Sequence, residues 1–142
     1  MENHKQIILL ALQKVVSEHG YQGAVQNRDI HEQALAHRLA LHLENSGSFT
    51  GYHVDCEYNR HGDDPKTDSQ GSNFRPDIVI HIRGNDEDNL VMIETKKFND
   101  PQEEIQATLQ NLKRRSKEYN YQHAFVVVFP ETEVTESAIM EI

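Results

Sequence analysis

The chain has 142 residues, of which 23 are acidic and 14 basic, for a formal net charge of -9. That length predicts one domain with a true core, and the acidic balance excludes a passive nucleic-acid coat, which would be basic. A single cysteine, Cys56, excludes a disulfide framework and a cysteine-rich zinc site. The longest apolar runs, 7–12 and 124–129, fall far short of the roughly 20 residues of a membrane span. The N-terminal stretch has no basic region before its apolar part and no small-residue cleavage site after it. We therefore expect no signal peptide and a cytoplasmic protein.

Residues 3–19 predict a first helix, with Ile8, Leu12, Val15 and Val16 on one face and Gly20 as its stop. Residues 21–27 read as a turn-rich connection. Residues 29–44 predict a second helix, with Asp29 and Glu32 spaced as a capping box. Residues 52–58 alternate as a strand. The polar stretch 59–73 has no periodicity, and loops of that length in small domains are usually functional or disordered. Two more strands are predicted at 74–83 and 90–97, joined by a polar turn at 84–89. Asp100-Pro101-Gln102-Glu103 then supplies a helix cap, an N1 proline and an N3 acid in order. That helix runs to 119 with Ile105, Leu109 and Leu112 inward. The continuous apolar run within 122–129 predicts a buried strand, which Pro130 ends. The acidic tail, 130–142, is left open between a short helix and a frayed end. The order α-α-β-β-β-α-β predicts an α/β mixed sheet with helices on both faces.

The strands at 74–83 and 90–97 form the informative pair. Set antiparallel with Arg83 opposite Leu90, their residue numbers sum to 173, and a shift to 171 is the alternative. Side chains alternate across a strand, so in either register Asp77, Glu94 and Lys96 share one face. The other face carries Ile78, Ile80, Ile82, Val91 and Ile93, an aliphatic layer that must be core. Two carboxylates about 4 Å apart repel by about 4 kcal/mol at an effective dielectric of about 20. A divalent cation and a lysine are the simplest relief, and hard oxygen ligands favour Mg²⁺ or Mn²⁺.

A third acid comes from the second helix. At about 100° per residue with Leu35 at zero, Leu39 falls at about 40°, Glu32 at about 60° and Glu44 at about 180°. Glu32 thus sits inside the apolar arc and needs a partner or a metal. As a capping-box residue it would instead satisfy a backbone N–H. Glu57, next to Tyr58-Asn59-Arg60, is the rival third acid.

Arg75-Pro76-Asp77, then Glu94-Thr95-Lys96 after sixteen residues, with a helix glutamate upstream, resembles the PD-(D/E)XK nuclease superfamily. The wider run HRLALHLE…CEYNR…RPDIVIHIR…LVMIETKK looks like small stand-alone bacterial proteins of that superfamily. The resemblance covers 29–129. It implies a restriction-endonuclease-like αβββαβ core with an extra N-terminal helix, in a single domain spanning 1–142. It also implies metal-dependent hydrolysis of phosphodiester bonds, with DNA the favoured substrate. Asp77 and Glu94, with the Thr95 carbonyl, would bind Mg²⁺ or Mn²⁺. Lys96 would orient or activate the water, and Glu32 would complete the site.

Around that set several residues stay open to two roles. Lys96 could serve only as a salt-bridge partner. Arg75 is placed either to reach a phosphate or to stand as a strand-edge charge. Gln106 and Gln110 lie on the helix after the motif, where nuclease families often set a polar residue against DNA. Lys97 points away from Lys96 and reads as structural. The basic cluster Lys113, Arg114, Arg115 and Lys117 fits a helix C-terminus, where cations are favourable. The nine histidines show no metal-ligand spacing, and of them only His81 shares the Asp77 face. The alternative function is a catalytically inactive nuclease-fold module that binds a protein or nucleic acid. Small size and acidic balance point to a homodimer or protein partner that supplies substrate affinity.

Overall fold

A computed structural model describes residues 3–27, 32–57, 75–85 and 87–142. Asp29, Tyr58, the predicted loop 59–73 and Phe74 lie outside the described residues.

The first helix, α1 (His4–Val16), starts where Asn3 accepts a hydrogen bond from the Lys5 amide at 2.9 Å. It ends at Val16, short of the expected 19. Ser17 stops it by turning both its N–H and its hydroxyl onto the Gln13 carbonyl. The expected turn at 21–27 is instead a short helix, α2 (Tyr21–Gln26). Gly20, at φ 88°, takes the left-handed conformation that reverses the chain into it. Tyr21 and Val25 lie four apart, so one helical turn buries both. The third helix, α3 (Glu32–Asn45), buries Leu35, Ala36, Leu39, Ala40 and Leu43, the arc that the wheel predicts.

The strands are β1 (His53–Cys56), β2 (Ile78–His81), β3 (Val91–Lys97), β4 (His123–Phe129) and β5 (Ile139–Glu141), with α4 (Gln102–Glu118) between β3 and β4. They form one five-stranded sheet in the order β1-β2-β3-β4-β5. Only β3 and β4 run parallel, because the crossover through α4 returns the chain to the same end. The fold is thus mixed α and β, and the predicted antiparallel pairing of β2 with β3 is observed. Its register sums to 171, with Ile78 opposite Ile93 and Val79 opposite Met92. The strands are shorter than predicted, most of all at β1 and β2.

Two other expectations are corrected. The tail 130–142 is part of the sheet. After a 3₁₀ turn at Glu136–Ala138, β5 pairs antiparallel with β4, Met140 opposite Val126. Ala138 and Ile139 are buried, and this small apolar anchor outweighs the local acidity. Nor does Asp100 cap α4. Its carboxylate accepts the Lys97 amide at 2.9 Å, and Pro101 takes the cap position, its carbonyl accepting the Glu104 and Ile105 amides.

Helices cover both sheet faces. Ile78, Ile80, Val91, Ile93, Phe125, Val127 and Phe129 pack against Ile8, Leu12, Val15, Leu39 and Leu43 from α1 and α3. On the opposite face Val79, Met92 and Val126 pack against Leu112, Tyr119 and Tyr121 at and beyond α4. Each such large side chain stabilises the fold by roughly 1.5–3 kcal/mol. Among the described residues, no helix is long and apolar enough to cross a membrane.

Candidate active site

The site begins where the β2–β3 ladder runs out. The last paired residues are Ile78 and Ile93, so the next two residues, Asp77 and Glu94, stand opposite each other on the α4 side of the sheet. Both are half-buried. Each carboxyl group shifts the acidity of the other.

Thr95 fixes the aspartate. Its N–H donates to Asp77 Oδ2 at 2.7 Å, and its hydroxyl donates to the same oxygen at 2.9 Å. Thr95 is 1% exposed, so this contact is shielded from water. In an extended strand the N–H and C=O of one residue leave by the same edge, which is why paired residues exchange both bonds. The Thr95 carbonyl therefore points to the edge that carries Asp77.

The electrostatics follow from burial. Desolvation pushes the Glu94 carboxyl well above the usual carboxylate range, and the charge and hydrogen bond of Asp77 push it further; Arg115 pulls the other way. Asp77 is also raised by burial, against which the Thr95 amide, the Thr95 hydroxyl and Glu94 all act. Of the two, Glu94 is therefore the weaker acid.

Glu32 stands at the start of α3, within electrostatic reach of Asp77. Burial raises its pKa first and the charge of Asp77 second, with Asp100 adding to the rise; Lys96 and Lys97 oppose it. One carboxyl group therefore senses the motif aspartate and both lysines. Lys96 is half-buried on the Glu94 face. Glu57, the rival acid, is exposed at φ 49°. Its N–H donates to the Asp77 carbonyl at 3.0 Å, and its carboxylate accepts from Gln33 Nε2 at 2.7 Å. It lies beside the site, with its carboxylate held by α3.

The remaining sequence candidates lie further out. Arg75 is exposed. Gln106 and Gln110 are exposed on α4, about 180° and about 140° around the helix from Arg115 at about 100° per residue. They stand on the flank away from the residue that reaches toward Glu94. His81 shares the Asp77 face but turns to Asp55, Nε2 to Oδ2 at 2.8 Å. Arg83 binds the same carboxylate at 2.9 and 2.5 Å, and this arginine, before His81, holds Asp55 below its ordinary range.

Two contributors escape the sequence reading. Arg115 is half-buried and acts on Glu94, although its place among four basic residues near a helix end suggests a dipole partner. The Thr95 hydroxyl is the other. A threonine in a strand is so ordinary that nothing marks it.

The donors present fit a small hard cation. Two carboxylates and a backbone carbonyl are all oxygen, the hard donors that such a cation prefers. Among the described residues, no three His, Cys, Asp or Glu side chains converge to enclose a metal by themselves. Mg²⁺ is commonly bound through one or two carboxylates, with water and substrate phosphate completing its shell.

Compared with known proteins, the chain matches no family model, no curated protein and no solved structure.

Proposed function

We propose that this protein is a metal-dependent nuclease that hydrolyses phosphodiester bonds, with DNA as the favoured substrate. The observation that carries the reading is the placement of Asp77 opposite Glu94 at the end of the β2–β3 hairpin, with Thr95 bonded to Asp77 and Lys96 on the Glu94 face. The resemblance to the PD-(D/E)XK superfamily agrees with it, as does the observed run of α3, β1, β2, β3, α4 and β4.

Bound Mg²⁺ or Mn²⁺ would neutralise charge on the phosphate and lower the pKa of water. Asp77, Glu94 and the Thr95 carbonyl would hold it. Thr95 keeps Asp77 oriented by two hydrogen bonds. Lys96 supplies positive charge where negative charge develops in the transition state. Glu32, kept weakly acidic by burial, is suited to positioning water or accepting its proton. Arg115 balances Glu94 from the α4 side. We place the protein in the cytoplasm, with a second copy or a protein partner adding the substrate affinity that a net charge of -9 withholds.

The test is a titration of Mg²⁺ and Mn²⁺ with plasmid, linear and single-stranded DNA, wild type beside Glu94→Ala. Cleavage that requires the cation and disappears in Glu94→Ala supports the reading. Tight DNA binding with no cleavage at any cation concentration would leave the non-catalytic binding module in its place.

A further inference from the structure

The outer face of α1 is open to solvent. Asn3, Ile7, Leu10, Lys14 and Ser17 follow at steps of four, three, four and three, so they form one stripe along the helix and its two caps. Leu10, at the centre of the stripe, is 50% exposed. Beside it lies a hollow of about 810 Å³ whose apolar lining is Ile7, Leu10 and Ala11. The far wall is the end of α3 and the turn beyond it, at His42, Ser46 and Ser48. The helices α1 and α3 lie antiparallel here. His4 stacks on Phe49 at one end, with 5.9 Å between ring centroids, and Arg38 binds Glu18 at 2.6 Å at the other.

Charge and symmetry together say what covers this face. In a chain of net charge -9, none of the residues lining the hollow is acidic. The Glu18 carboxylate, 3.3 Å from His42 Nε2, is held by Arg38. A second copy, repelled by its own charge, can therefore approach here without bringing carboxylate groups together. A two-fold dimer presents the same patch twice, so the patch must complement itself. With two α1 helices antiparallel and Leu10 on the axis, Leu10 meets Leu10 and Ile7 meets the alkyl stem of Lys14. Gln6 then meets Gln13, and Asn3 meets Ser17. The two Lys14 positions fall about 12 Å apart along the helices at about 1.5 Å per residue, beyond the screening length of about 8–10 Å.

We propose that the outer face of α1 is the surface on which a second copy of this chain docks, α1 against α1 antiparallel across a two-fold axis at Leu10. The two α3 helices flank the pair, which makes a four-helix arrangement. This goes beyond the nuclease reading and stands without it. A contact of one helix and one wall per copy lies at the small end of specific interfaces, so the dimer is reversible and micromolar.

Sedimentation equilibrium of the full chain tests this. The wild type passes from monomer to dimer as its concentration rises through the micromolar range. Leu10→Glu weakens the dimer by at least about thirty-fold, as loss of a central anchor does. Its melting temperature as a monomer stays within a few degrees of the wild type, because the side chain is exposed in a single copy. Disulfide trapping reads the register. In a Cys56→Ser background, which holds no other cysteine, Leu10→Cys links to itself under mild oxidation. Gln6→Cys and Gln13→Cys link when mixed. Neither links alone, because like positions are about 12 Å and about 9 Å apart along the helices, beyond the reach of a disulfide. A wild type that stays monomeric at millimolar concentration leaves the hollow to some other chain and overturns the proposal. A dimer that survives Leu10→Glu places the contact elsewhere and overturns it too. Gln6→Cys or Gln13→Cys linking alone as fast as the mixture would overturn the antiparallel pairing.

Discussion

Asp77 Oδ2 accepts two hydrogen bonds from one residue, Thr95, through its amide at 2.7 Å and its hydroxyl at 2.9 Å. This contact joins the two halves of the motif, since Thr95 lies between Glu94 and Lys96. It orients the aspartate and resists the effect of burial on its acidity.

Thr95→Val keeps the shape and removes the hydroxyl. It should cost about 1 kcal/mol in urea denaturation and weaken Mn²⁺ binding about ten-fold or more, as outer partners of metal ligands do. Calorimetry reads the second effect. Thr95→Ser should restore most of both.

Metal binding should release a proton. Glu94 is held well above the ordinary carboxylate range by burial, and a cation requires the ionised form. Mn²⁺ affinity should therefore rise by about ten-fold per pH unit while Glu94 remains protonated. Calorimetry in buffers of different ionisation enthalpy should count about one proton released. An affinity independent of pH would remove Glu94 from the ligand set.

The same raised pKa fixes the sign of an effect on stability. A carboxyl whose folded pKa lies above its unfolded value contributes stability that is complete below the unfolded pKa. That stability is lost as pH rises through the folded pKa. The metal-free protein should thus lose this contribution toward neutral pH. Glu94→Gln should melt higher than wild type at about pH 8 without metal, and the gap should close toward about pH 4. Mn²⁺ should stabilise the wild type and leave Glu94→Gln unchanged.

Glu32 and Glu57 are separable by parallel variants. Glu32→Gln should lower kcat by about a hundred-fold or more, the size of a lost acid–base group, while stability stays unchanged or rises as a repelling charge is removed. Glu57→Gln, which keeps a partner for Gln33, should retain activity within about two-fold. Plasmid nicking measures both. Activity kept in Glu32→Gln and lost in Glu57→Gln would transfer the role to Glu57.

A distant histidine pair sets a second pH response. His4, at the start of α1, lies 4.4 Å from His123 between ring centroids and 5.9 Å from Phe49. Burial first, and the neighbouring His123 second, hold its pKa below 6.5, while Glu141 acts the other way. A depressed folded pKa gives stability that is present above the unfolded value and lost as pH falls through the folded one. Urea midpoints should therefore drop between about pH 7 and about pH 5. The drop should be shallower in His4→Asn, which cannot titrate.

The alternation in 74–83 and 90–97 is enough to place Asp77, Glu94 and Lys96 on one face. A change of register by two residues moves partners and never faces, so the difference between sums of 173 and 171 does not disturb that conclusion. The apolar stripe of 29–44 likewise turns Glu32 inward, because the helical period is set by the backbone alone. Those features depend on local geometry, which a sequence carries in its spacing.

What the sequence leaves open depends on partners far away along the chain. The helix at 21–26 forms because Tyr21 and Val25 have a core to enter and because Lys97, Asn99, Pro130 and Glu131 meet its polar groups. The acidic tail joins the sheet because β4 offers an open edge and a site for Ile139. Arg115 becomes a neighbour of Glu94 only once α4 has crossed back over β3. Lys97 reads as structural from its place opposite Lys96, but its partners are set only when α2 closes over it and its charge finds carbonyls. In each case the deciding energy is a burial or a hydrogen bond between segments that only the assembled sheet brings together, so no window of local sequence could contain it.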